Sequence, residues 1–458
     1  MVATADRLRP SGDPFAPGPR GHFLFGVAAE VMRDPIRFYM RMRRDYGDVV
    51  RMRTLPGFHW HLVSHPAGVE RVLQTNQQNY PKGKLFNKPL GLLVGQGLLT
   101  SEGEFWRRQR RLAQPAFHRQ RINALGETMT AATERMLERW REFERDGRPF
   151  DLAAETTRLT LQIAGLTLFG ADLSDAASRV GSALRVAFEH LNYRMMYPWA
   201  LPEVIPTRRN RRFLRARRLL DEVVYDVIRE RRRRDEDAGD LLSMLLLARD
   251  EETGEGMSDE QLRDEVMTIL IAGHETGAAA LAWAWYMLAR HEEVEGKLCA
   301  ELARVLGGRT PVVADLPSLP YTKMFFDEVL RLYPPAWGML REARETDEIG
   351  GYRIPAKTPL TVSQYVTHRH PEFWDEPERF DPERFTPERV AARPKFAYFP
   401  FGGGSRQCIG NSFALMEAQL VLATVAQHFR PRLAAGQTVE EDPTFTLRPR
   451  GGVLVTLG

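Results

Sequence analysis

From Val266 to Leu288 the chain is apolar almost throughout, broken mid-way by His274-Glu275-Thr276 and flanked by acidic residues. A capping-box pattern, Ser258-x-x-Gln261, marks where a helix starts. The spacing predicts one helix over 258–290, roughly 45–50 Å long at the usual rise and long enough to cross a whole domain. A polar trio at its centre argues against a membrane span, because ionisable groups there are costly in hydrocarbon. The rest of the chain must therefore wrap around a buried helix. Its middle reads Ala272-Gly273-His274-Glu275-Thr276-Gly277. Two glycines four apart weaken a helix by about 1 kcal/mol each, but leave a face open to a flat ligand or a small gas molecule. Thr276 is placed to bond back to the Ala272 carbonyl and bend the helix. Glu275, an acid in an apolar run, suits a proton relay. A packing notch with a stray polar pair explains the same residues equally well at this point.

Helical periodicity also covers 35–46, 103–122, 123–146, 151–169, 176–195, 207–234, 292–306, 319–332 and 411–429. Strand patterns are few: a hairpin from Val49–Arg53 and Trp60–Ser64 around Pro56-Gly57, and pieces near 350–365 and 443–457. The expectation is a mainly α protein with small β-sheets, one domain over 1–458 behind an extended lead at 1–20. The tract from Pro371 to Pro400 is loop-like but carries Phe373, Trp374, Phe380, Phe385 and Phe396, so it should be packed.

A net charge of +4 over 458 residues does not suggest a nucleic-acid binder. Two cysteines exclude a disulfide framework and suit a reducing compartment. The N-terminus has no signal-peptide pattern. A soluble, cytoplasmic protein without a transmembrane anchor is expected. Three basic clusters stand out: Arg107–Arg111, Arg208–Arg218 and Arg231–Arg234. Solvated helix faces explain them most simply, with anion contact an alternative for the first. His59, His61, His65, His368 and His370 have spacings seen in metal sites, but nothing completes a ligand set, so they read as structural.

Near the C-terminal end stands Phe401-Gly402-Gly403-Gly404-Ser405-Arg406-Gln407-Cys408-Ile409-Gly410. A cysteine just before a helix favours thiolate, which serves either as a nucleophile or as a metal ligand. The decapeptide alone leaves both open. Its three glycines do not form a dinucleotide-binding fingerprint, since the pattern's last glycine would fall at Gln407. Two further groups are weak by themselves: Glu328-x-x-Arg331 on one helical face, stopped by Tyr333-Pro334-Pro335, and Pro382-Glu383-Arg384-Phe385.

Together these groups resemble the cytochrome P450 family. Phe401, Gly404, Arg406, Cys408 and Gly410 match its F-x-x-G-x-R-x-C-x-G haem pattern, and Glu328 with Arg331 its E-x-x-R pair. Arg384 falls at the third place of its Glu-Arg-Arg cluster. Ala272 to Thr276 matches its oxygen groove, and Trp106-x-x-x-Arg110 its propionate pair. All five lie in the family's order, from about residue 100 to 410.

The resemblance implies a haem-thiolate monooxygenase in that family's fold, with haem b between the long central helix and the Cys-loop helix. Cys408 would be the axial iron ligand, with Phe401, Gly402 and Gly410 beside it. Trp106, Arg110, Arg341 and Arg406 would hold the propionates. Ala272 and Gly273 would line the oxygen groove, Glu275 and Thr276 would deliver protons, and Glu328, Arg331 and Arg384 would lock the core. Gly277 departs from the hydroxyl residue often found there. Since the Glu-Thr pair is kept, O2-dependent turnover is expected rather than peroxide-driven chemistry, or a sensor without turnover.

The chain ends about fifty residues past the motif, so electrons are expected ultimately from NAD(P)H through a separate ferredoxin or flavodoxin and its reductase. An acidic carrier would meet Arg107, Arg108 and Arg111. A monomer is expected, acting on an apolar small molecule: a fatty acid, terpenoid, steroid or carotenoid-like compound. Phe188, Leu191, Tyr193, Met195, Met196, Tyr197 and Trp199 are the candidate access residues, unless they simply form core between helices.

Overall fold

The computed structural model describes residues 14–173, 176–197, 200–234, 239–249 and 254–457. Trp199 and most of the N-terminal lead fall outside them, and the Met196 side chain is likewise outside the description. About 59% of the chain is helical and the sheets are small. Two compact units interleave along the sequence: 1–86, 330–380 and 386–408 form one, and 87–329, 381–385 and 409–458 the other.

The first unit is built on a four-stranded mixed sheet in the order Val49–Leu55, Phe58–Val63, Pro359–Val362, Met339–Glu342. The first two strands form the expected hairpin, closed at Gly57 with φ +76°. Phe58–Val63 then pairs in parallel with Pro359–Val362, a strand buried along its whole length. One face of this unit packs Val63, Val69, Leu73, Leu360 and Phe399, another Phe38, Met42, Val50, Leu62 and Val366. The region near 350–365 divides between two sheets, because Tyr352–Ile354 pairs with Asp347–Ile349 instead. The aromatic tract is packed as expected: Trp374, Phe380, Phe385 and Phe396 are all buried.

The second unit is helical, and its axis is the helix Asp259–Arg290. Both halves of the capping box form, Ser258 Oγ accepting from Gln261 N at 3.2 Å and Ser258 N donating to Gln261 Oε1 at 3.0 Å. This helix is apolar and long enough to cross a membrane, but 72% of its most apolar window is buried within the protein. It packs on Leu152–Phe169 and on Asn411–Val425.

Four expectations change. The helix expected over 103–122 stops at Ala113, turns through Gln114–Phe117 around Pro115, and resumes as Arg119–Ala124. Pro115 supplies no N–H for the helical ladder. The helix from Asn411 ends at Val425, not Phe429. Helices at Lys84–Val94 and Leu241–Leu247 were not expected; the first has Pro89 inside it and the second is only seven residues long. Nor is the third basic cluster a fully solvated face. Arg231 is buried, donating to Asp240 Oδ1 at 2.6 Å.

Candidate functional site

In the first unit the decapeptide forms a tight loop. The Cys408 N–H donates to the Phe401 carbonyl at 3.0 Å, and Gly402 N to Phe399 O at 2.9 Å. Gly402 and Gly404 have φ of +72° and +67°, where side chains are strained. A Cβ on Gly404 would also stand 1.8 Å from the Leu73 carbonyl oxygen, and one on Gly403 2.4 Å from the Phe396 ring. These glycines are thus demanded by close packing of protein on protein. Ser405 is pinned by its N–H and hydroxyl to Gln77 Oε1, at 2.8 and 2.9 Å. Cys408 is left exposed at the end of a rigid loop.

The loop's approach is fixed from behind. Buried Arg331 donates to the carbonyls of His368 (3.0 Å), Pro377 (2.6 Å) and Arg379 (3.0 Å), and its guanidinium lies 5.0 Å from the Trp374 ring centre. His368 Nε2 in turn accepts from Phe399 N at 3.0 Å, and Trp374 Nε1 donates to Ala397 O at 3.3 Å. Burial and the nearby guanidiniums of Arg331 and Arg369 push His368 down to about 3, so it is a neutral acceptor. A chain of contacts therefore runs from Arg331 to Ala397 and Phe399, just ahead of the decapeptide. Arg341, also of this unit, is buried on the strand Met339–Glu342 and donates to Leu340 O at 2.8 Å. Arg406 is half-buried in the loop.

The second unit holds the remaining residues. Glu328, fully buried, accepts from Asp381 N at 2.8 Å and faces Arg384 Nε at 3.6 Å. Glu328 thus faces Arg384, and Arg331 holds three backbone carbonyls. Trp106 is buried on the helix Gly103–Ala113, with Arg110 half-buried one turn on. Gly410 stands beside Phe117, 3.7 Å from where its Cβ would be. Arg107 pairs with Glu104, and Arg108 donates to the Glu255 carbonyl at 3.3 Å.

The central helix is buried from Leu262 to Ile271 and again from Ala278 to Leu288. Between them Ala272 is exposed, and Gly273, Glu275, Thr276 and Gly277 are half-exposed. Thr276 Oγ1 donates to Ala272 O at 2.6 Å, the back-bond expected of it. Glu275 Oε1 accepts from Thr446 Oγ1 at 2.9 Å and lies 3.8 Å from Arg448 Nη1. Sequence reasoning missed Thr446 and Arg448, which carry no motif.

It also missed Glu417, a lone acid in the apolar run from Asn411. Glu417 is buried, its Oε1 has no partner among the described residues, and burial pushes its carboxyl up to about 8. A Cβ on Gly277 would stand 3.3 Å from Glu417 Oε2, so glycine at 277 leaves room for this carboxyl against the central helix. Of the access candidates, Phe188 and Leu191 are core, Phe188 stacking on Phe445 at 4.4 Å; Tyr193 and Tyr197 contact each other at 4.9 Å. A groove of about 590 Å³ lined by Arg37, Arg41, Arg369 and Tyr365 contains none of the site residues.

The chain matches the family model described as Cytochrome P450 over residues 16–456. It is 39% identical to "Cyclooctatin synthase" of Streptomyces melanosporofaciens, over 94% of this chain and 92% of that protein. It is 38% identical to that organism's "Cyclooctat-9-en-7-ol 5-monooxygenase", over 91% and 89%. With "Pentalenene oxygenase" of Streptomyces avermitilis it shares 36% identity, over 93% and 91%. Among solved structures, the cytochrome P450DA heme domain superposes with a TM-score of 0.87 at 28% identity, covering 97% of each chain.

Proposed function

The chain belongs to the cytochrome P450 family and is an oxidoreductase of the monooxygenase kind, and on that premise we propose that it hydroxylates or epoxidises an apolar terpenoid. Three relatives that match over most of their length are named for such compounds or for oxygenating them. The two units are read as parts of one domain, since the family model runs unbroken from 16 to 456.

The residues present fit a haem. A macrocycle brings four donors of its own and asks the protein for one, and among the described residues no cluster of three His, Cys, Asp or Glu is placed to hold a bare metal ion. Cys408, exposed on a loop fixed from behind, is suited to be that one donor. Bound haem with a thiolate ligand supplies oxygen activation, the sulfur favouring O–O cleavage. Phe401, Gly402 and Gly410 are assigned to the surroundings of the sulfur. Trp106, Arg110, Arg341 and Arg406 are assigned to the propionates through charge-assisted hydrogen bonds.

The observation that carries the reading is the accessible strip formed by Ala272, Gly273, Glu275, Thr276 and Gly277 on a helix buried on both sides of it. Ala272 and Gly273 leave space there for a small molecule. Thr276 presents a hydroxyl oriented by the Ala272 carbonyl, and Glu275 a carboxylate oriented by Thr446. Glu328 and Arg384 buttress one unit, and Arg331 holds the decapeptide's approach in the other. Electrons are assigned to a ferredoxin or flavodoxin fed by NAD(P)H, docking at Arg107, Arg108 and Arg111. The Glu104 carboxylate beside Arg107 offsets part of the charge offered there, so charge reversal should slow reduction only a few-fold.

A screen of substrate-induced spin-state shifts tests the substrate class. Cyclic terpene hydrocarbons and alcohols should shift the Soret band at micromolar concentration. Shifts with fatty acids and none with terpenoids would overturn the assignment.

A further inference from the structure

The loop that carries Cys408 has a second brace, and no motif announces it. The first holds the approach to the decapeptide through Arg331. The second presses on its middle from the segment 71–80, which belongs to the same compact unit. That segment opens with a wide turn: the helix Pro66–Glu70 continues into Arg71–Thr75 with five-residue bonding, Asn76 N donating to Arg71 O at 2.8 Å. Such π turns are rare and recur at functional sites. Here the Leu73 carbonyl meets Gly404 so closely that a Cβ there would stand 1.8 Å from its oxygen.

The segment is anchored from behind on one carboxylate. Asp347 accepts from Arg71 through both Nε and Nη2, from Asn76 Nδ2 at 3.0 Å and from the Tyr80 hydroxyl at 2.6 Å. Asn79 adds a reciprocal pair, accepting from Glu345 N at 2.8 Å and donating to Glu345 O at 3.2 Å. From this anchored segment Gln77 reaches the decapeptide. Its Oε1 accepts both the N–H and the hydroxyl of Ser405, at 2.8 and 2.9 Å. Ser405 is the centre of the turn Gly404–Arg406, which closes with Gln407 N donating to Gly404 O at 3.2 Å, and Cys408 follows directly. Ser405, Gln407 and Cys408 are exposed, so this stretch is held by hydrogen bonds and not by apolar burial.

We propose that Gln77 is a positioning residue for the axial ligand: by fixing the turn 404–406 it keeps the Cys408 sulfur where thiolate ligation of the haem iron is retained. The proposal rests on the reading of Cys408 as that ligand. Gln77 touches neither haem nor substrate, and acts only through Ser405. A loop freed from it visits displaced arrangements more often, and in those the sulfur is open to protonation and loss from the iron. Each hydrogen bond is worth roughly fivefold in such an equilibrium, and water replaces part of what two bonds to one acceptor lose, so the expected effect is about tenfold.

The haem-loaded protein tests this, through the rate at which its reduced carbon monoxide complex loses the thiolate band in mild urea. Gln77→Leu removes the acceptor at similar size and should speed the loss about tenfold. Gln77→Glu keeps an acceptor oxygen for both donors and should stay close to the wild-type rate. Gln78→Leu, at the exposed neighbouring position, should match wild type. Amide hydrogen exchange gives the second readout: Ser405 to Cys408 should exchange about tenfold faster in Gln77→Leu, with the central helix Asp259–Arg290 unchanged. Wild-type behaviour of Gln77→Leu would overturn the proposal, as would Gln77→Glu losing the band as fast as Gln77→Leu. Faster exchange spread evenly over the protein would also overturn it, and make Gln77 a general stabiliser. A wild type without the thiolate band would overturn the ligand reading and the proposal with it, a result visible before any variant is made.

Discussion

The hydroxyl of Thr446 donates to the Glu275 carboxylate across 2.9 Å, tying the acid at the centre of the long helix to a residue 171 positions later. Arg448 approaches the same oxygen at 3.8 Å. Glu275 is therefore oriented from the C-terminal segment and not by its own helix. Thr446→Val removes the donor and keeps the shape. It should raise the peroxide released per product formed several-fold, as expected when a positioned proton donor is disturbed, while leaving the substrate-induced spectral shift intact. An unchanged ratio would make Thr446 structural only.

Thr276 is held by one bond, Oγ1 to the Ala272 carbonyl at 2.6 Å. Thr276→Ala should keep the fold, since the residue sits mid-helix and alanine is the better helix former. Coupling of oxygen consumption to product should fall by about tenfold or more. Thr276→Ser restores the hydroxyl and should recover most of it. Equal coupling in wild type and alanine variant would remove Thr276 from proton delivery.

Cys408 is tested by spectrum. The reduced protein under carbon monoxide should show the strongly red-shifted Soret band of thiolate ligation, and Cys408→Ser should lose it. A variant that kept the band would sink the ligand assignment.

Glu417 makes a prediction about pH. Burial raises its folded-state value to about 8, well above the ordinary carboxylate range. Between those two values the unfolded chain ionises this group and the folded protein keeps it protonated. The unfolded state then binds fewer protons, so stability falls as pH rises through the interval and levels off above about 8. Glu417→Gln removes the ionisation at nearly constant shape. The variant's melting temperature relative to wild type should climb from about pH 5 to about pH 8. Parallel curves would show that Glu417 is not buried as a neutral acid.

What was legible in the sequence was whatever repeats at helical period or rests on a compact motif. The helix over 258–290 could be read because its capping box and apolar run are local. The back-bond of Thr276 follows from one turn of helix. The partners of Glu275 could not be read, because contact with Thr446 depends on how a late loop packs and leaves no periodic trace. Glu417 was visible as a lone acid in an apolar run, but only burial gives it meaning. The Glu-Arg-Arg cluster was grouped by motif, but the backbone its members hold carries no motif: Glu328 accepts from Asp381 N and faces Arg384, and Arg331 donates to three carbonyls.

The bonds made by Glu328 and those made by Arg331 differ in what a substitution should do. Glu328→Gln removes the carboxylate that faces buried Arg384, and breaking a buried ion pair costs about 3–5 kcal/mol. The loss should appear as a lower denaturation midpoint in a protein that still binds haem if any folds. Arg331→Lys keeps the charge, but one ammonium cannot span the carbonyls of His368, Pro377 and Arg379 or stack on Trp374 as a planar guanidinium does. The segment leading to the decapeptide then loses its support. Arg331→Lys should therefore affect the haem site first, with weak haem retention and a carbon monoxide band shifted away from the thiolate position even in the folded fraction. Proteolysis should locate its early cleavage between 394 and 400, just before the decapeptide, whereas Glu328→Gln should open near 381–385. Identical cleavage patterns in the two variants would show that Glu328 and Arg331 act as one unit after all.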